Sequence, residues 1–176
     1  MPGLPTRLGQ LWKNCVNKMA ILANALTPGR LCPARKGSTM LGRATCPTAR
    51  IAACRAEMTA MAATWRAVAK HSEASARIEA EAQVFNQMAV ALDRWFVNHL
   101  RGVPGQDDPL AHEVRLLALG VSAHGSYFPS DHSCKWQPEA SVTGYRAGDR
   151  IRLTEAMFSR LAAAYLDAVS DQFAQA

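Results

Sequence analysis

Residues 51–68, IAACRAEMTAMAATWRAV, decide the fold. Their large apolar residues, Ile51, Cys54, Met58, Met61, Trp65 and Val68, recur in steps of three, four, three, four and three. With 3.6 residues per turn, such spacing returns every one of them to the same side of a helix, the a/d rhythm of a helical seam. A seam of this kind serves either a bundle helix packing on its own domain or a pair of copies zipped over three heptads. The expectation is a helical domain in which Ile51–Val68 is also the candidate surface for self-association.

Beyond Val68 the rhythm loses its apolar residues at His71-Ser72-Glu73-Ala74-Ser75. It resumes in a shifted phase at Ile78, Ala82, Phe85, Met88, Leu92, Trp95, Phe96 and Leu100. Either one long helix changes partner here, or two helices meet at a break capped by Ser72 or Ser75. Gly102-Val103-Pro104-Gly105 stops the pattern. Asp108-Pro109 starts a short helix, Asp accepting from free N–H groups and Pro fitting the first turn. Leu110, Val114, Leu117 and Val121 mark its face, and it is expected to end around Gly120. Residues 122–138 read as a polar loop with aromatics. A β-hairpin is then expected over about 141–153, with Ser141–Tyr145 as one strand, Arg150–Leu153 as the other, and Ala147-Gly148-Asp149 turning between them. Thr154 caps a last helix with Glu155 in its first turn and Met157, Phe158, Leu161, Tyr165, Val169 and Phe173 on its buried face. The expected class is mostly α: a domain over 48–176 of three to four helices with a C-terminal β-hairpin packed on it, following a basic N-terminal extension over 1–47.

That extension is defined by charge. Nine Lys and Arg precede the first acid, Glu57, whereas the remaining 120 residues carry 11 Lys+Arg and 14 Asp+Glu. The net charge of +6 therefore belongs to the N-terminal part. Within it, Leu8, Leu11, Trp12, Cys15, Val16, Met19, Leu22 and Leu26 form one apolar helical face over 7–26, opposite Arg7, Lys13, Asn14, Asn17 and Lys18. Such a helix can dock on the domain, lie on an anionic membrane surface, or resemble an organelle-targeting presequence. Residues 28–48 hold Gly, Pro, Ser and Thr among scattered cations and read as a flexible linker. Arg30, Arg35, Lys36, Arg43, Arg50 and Arg55 are the candidate phosphate contacts of a nucleic-acid-binding arm. Without interleaved aromatics, its binding would be non-specific and salt-dependent. An alternative account makes the first 57 residues or so upstream translation, with Met40, Met58 or Met61 as the native start.

The chemistry-bearing motifs are sparse. Lys36-Gly37-Ser38-Thr39 lacks the upstream glycine of a phosphate loop. Five cysteines, Cys15, Cys32, Cys46, Cys54 and Cys134, are an odd number with no C-x-x-C pair, which argues against a disulfide framework and a zinc ribbon. His124, Asp131, His132 and Cys134, with His112 upstream, have the ligand types of a zinc site but no standard spacing. Ser130, Asp131, His132 and Cys134 are sequence neighbours, whereas nucleophile, base and orienting group are ordinarily assembled in space. No stretch of 18 apolar residues occurs, so no membrane-spanning helix is expected. The expected function is that of a small non-enzymatic binding or adaptor protein of the cytoplasm, with a protein partner or a second copy and no cofactor. A nucleic-acid-associated protein using the arm is the first alternative. A metal-dependent enzyme using the 124–134 loop is the second.

Overall fold

The computed structural model describes residues 46–100, 108–130 and 136–175. Four helices carry the fold: α1 Thr48–Ala69, α2 Ala74–Leu100, α3 Pro109–Ala123 and α4 Glu155–Phe173. The expectation of a mostly helical domain is met. Two-residue strands, β1 Cys46–Pro47 and β2 Ala174–Gln175, pair in parallel and join the two ends of the described chain. The helix expected over 7–26 and the linker after it lie outside the described residues.

The Ile51–Trp65 seam faces inward. Ile51, Cys54, Met58, Ala62 and Trp65 are buried, in one core with Phe85, Met88, Leu92 and Phe96 of α2 and Phe158, Leu161 and Tyr165 of α4. Edge-to-face packing of Trp65 on Phe85 and of Phe96 on Tyr165 fixes the inner geometry. Of the remaining seam residues, Met61 and Val68 are half-buried.

The break between α1 and α2 falls at Lys70–Glu73. Ser72 does not cap α2; its hydroxyl donates back to the Val68 carbonyl (3.1 Å) and closes α1 instead. Asp108 caps α3 as expected, accepting from the Leu110 N–H at 2.9 Å with Pro109 in the first turn. Gly120 does not end α3, which runs on to Ala123. The glycine serves a close approach: a Cβ there would sit 2.5 Å from Ile151 Cδ1 and 2.6 Å from the Tyr127 carbonyl oxygen. Thr154 caps α4 through its hydroxyl, which accepts from Met157 N–H, while Glu81 of α2 accepts from the Glu155 N–H at 2.9 Å.

The hairpin expectation is corrected. Ser141–Tyr145 and Arg150–Leu153 form no ladder with each other among the described residues. Arg150 bridges Tyr127 instead, with Ile151 N–H donating to the Ser126 carbonyl at 2.7 Å and Phe128 N–H to the Asp149 carbonyl at 2.8 Å. The turn at Ala147–Gly148 does form: Gly148 has φ +87°, Asp149 N–H reaches the Arg146 carbonyl, and the Asp149 carboxylate accepts from Arg146 N–H. The alternation of Arg150–Leu153 is met by burial of Ile151 and Leu153 on α2 and α3 rather than by a second strand.

That burial creates a demand that Asn86 meets. Its amide nitrogen donates to the Ile151 carbonyl at 2.9 Å and its oxygen accepts from Leu153 N–H at 3.1 Å, all within the core. Asn86→Ala leaves both backbone groups buried without a partner. It should lower unfolding stability by about 2–4 kcal/mol in urea titration, whereas Gln87→Ala on the exposed side of α2 should change it by less than about 0.5 kcal/mol.

Candidate functional site

Two regions stand apart from an ordinary helical core. One is the connection between α3 and α4, whose described residues, 124–130 and 136–154, hold a single 3-10 turn at Pro138–Ala140 and an isolated bridge between Tyr127 and Arg150. Connections this long in a compact domain are uncommon and tend to carry function. The other is the outward face of α1.

The connection is held to the helices by polar groups at its base. Glu113 on α3 is 1% exposed, and its carboxylate accepts from Val142 N–H (3.0 Å), Thr143 N–H (2.8 Å) and the Thr143 hydroxyl (2.5 Å). A buried carboxylate is tolerated only with such partners, and charge-assisted bonds of this kind are the stronger ones. Phe128, buried, packs on Trp136 with ring centres 5.2 Å apart and stacks on Tyr145 at 6.1 Å. Trp136 Nε1–H donates to the Tyr145 carbonyl, and the Tyr145 hydroxyl accepts from Arg152 N–H. Burial pushes the Tyr145 phenol above its ordinary range, the Arg152 bond opposing. The phenol therefore stays neutral and serves as a brace.

The candidate metal ligands do not converge in what is described. His124 is exposed at the C-terminal end of α3, while Asp131, His132 and Cys134 lie outside the described residues. His112 is half-buried on α3 with its ring 6.1 Å from Trp136. Among the described residues no group of three or more His, Cys, Asp or Glu could hold a metal ion. Nor are the described thiols set up as nucleophiles. Cys46 and Cys54 are buried and free, and desolvation pushes the Cys54 thiol up to about 12 despite Arg50 and Arg55 nearby. Cys46 is raised for the same reason.

Of the candidate phosphate contacts, Arg30, Arg35, Lys36 and Arg43 lie outside the described residues. Arg50 is engaged inside the fold, donating from Nε and Nη2 to the Trp95 carbonyl (3.1 and 2.6 Å) with its guanidinium over the Trp95 ring. Arg55 is exposed in an ion pair with Asp167 at 2.8 Å. The arginines of the connection are likewise partnered, Arg150 and Arg152 by Glu79 and Arg146 by Glu139.

The outward face of α1 is the region that sequence reading overlooked. Ala49, Ala53, Ala56, Ala60, Ala63 and Ala67 are all exposed and recur in steps of four, three, four, three and four, opposite the buried seam. Thr59 and Thr64 flank them, and both hydroxyls donate to their own helix, to the carbonyls of Arg55 and Ala60. Ala52 lies beside them, also exposed. The arc so formed carries no charge and no free side-chain polar group. Outward faces of surface helices normally carry charged residues.

Comparison of the chain with protein-family models, with curated proteins and with solved structures finds no match. Among the described residues no helix is long and apolar enough to cross a membrane.

The Glu113 clasp makes a local prediction. Glu113→Ala should speed hydrogen exchange at the Val142 and Thr143 amides by on the order of a hundredfold, the equivalent of about 3 kcal/mol of local opening. Glu113→Gln, which keeps an acceptor, should have a smaller effect, and Glu139→Ala in the exposed pair with Arg146 should leave those amides unchanged.

Proposed function

We propose that the chain is a small non-enzymatic binding or adaptor protein that engages a helix through the outward face of α1. The observation that carries this reading is the exposed alanine series at heptad spacing. Small residues let two helix axes approach at the short end of the usual range of about 8–10 Å. Such a face is suited to a second helix and offers nothing to a small polar substrate. The absence of charge within the arc makes its exposure unfavourable compared with burial against an apolar partner.

Self-association belongs to this reading, moved from the inward seam to the opposite side of α1. Among the described residues every core side chain lies within 46–169, so the fragment 46–176 contains all of them. Sedimentation of that fragment should show a concentration-dependent dimer, and Ala56→Glu with Ala60→Glu should return it to monomer without loss of helix content. A fragment that stays monomeric at several hundred micromolar would sink self-association through α1.

The reading places the protein in the cytoplasm, where Cys46 and Cys54 remain thiols. A second reading, nucleic-acid association, is favoured by one observation, the nine cations that precede any acid. Retention on heparin that falls with salt and is lost with residues 1–45 supports it; retention that survives their removal contradicts it.

A further inference from the structure

We draw no further inference here: the strongest candidate, the surface patch formed by the exposed, bridged residues Tyr127 and Arg150 on the connection between α3 and α4, carries nothing, because Glu79 already pairs with Arg150 and nothing in the structure shows what covers Tyr127.

Discussion

Buried backbone must find hydrogen-bond partners, and in this fold that constraint falls on an extended segment rather than on a sheet. Ile151 and Leu153 enter the core from a stretch with no neighbouring strand on the α2 side. Asn86 stands in for that strand, offering one donor and one acceptor where a ladder would offer the same. Its position is set by α2, whose neighbouring residues Val84, Phe85, Met88 and Ala89 are buried around it. Everything that follows in the chain depends on this docking. Ile151 fills the space left by Gly120 of α3, and Glu79 and Glu81 of α2 engage Arg150, Arg152 and the first N–H of α4. The N-terminus of α4 is thus held against α2 by polar contacts as well as by its own buried side chains.

The same logic explains Glu113. A connection of about thirty residues with little regular structure among its described residues has many backbone donors to satisfy, and α3 beneath it is otherwise apolar where it is buried. One carboxylate taking two consecutive N–H groups and a hydroxyl satisfies more donors than any neutral side chain could. Phe128, Trp136 and Tyr145 then close the connection laterally. Its described residues are thus held by Asn86, Glu79 and Glu113 from the helices, by the Tyr127–Arg150 bridge and by an aromatic cluster of their own.

Much of the helical fold was legible because large apolar residues repeat at helical spacing, and Ile51–Val68, Phe85–Phe96 and Phe158–Val169 each report a buried face directly. Caps at Asp108 and Thr154 were legible because their chemistry is local. The 141–153 region was misread for a physical reason: alternation of Arg150–Leu153 reports that one side is buried, and it does not say whether a strand or an asparagine satisfies the other edge. Asn86 and Glu113 gave no local signal, since a polar residue on a helix reads as solvated until the element that covers it is known. The alanine series was overlooked because alanine adds little to a pattern judged by large residues. Its meaning emerges only once the opposite face is known to be full.

The boundary of the fold also differs from the boundary of charge. The acid-free stretch runs to Ala56, yet Cys46, Ile51 and Cys54 are core residues and β1 pairs with β2 at the other end of the domain. Translation from Met58 or Met61 would remove more than a third of α1 together with these three core side chains, so the first acid does not mark where folding begins. The cations of residues 46–56 divide accordingly. Arg50 clamps α1 to α2 at Trp95, and Arg55 ties α1 to α4 at Asp167, whereas the seven before Cys46 lie outside the described residues.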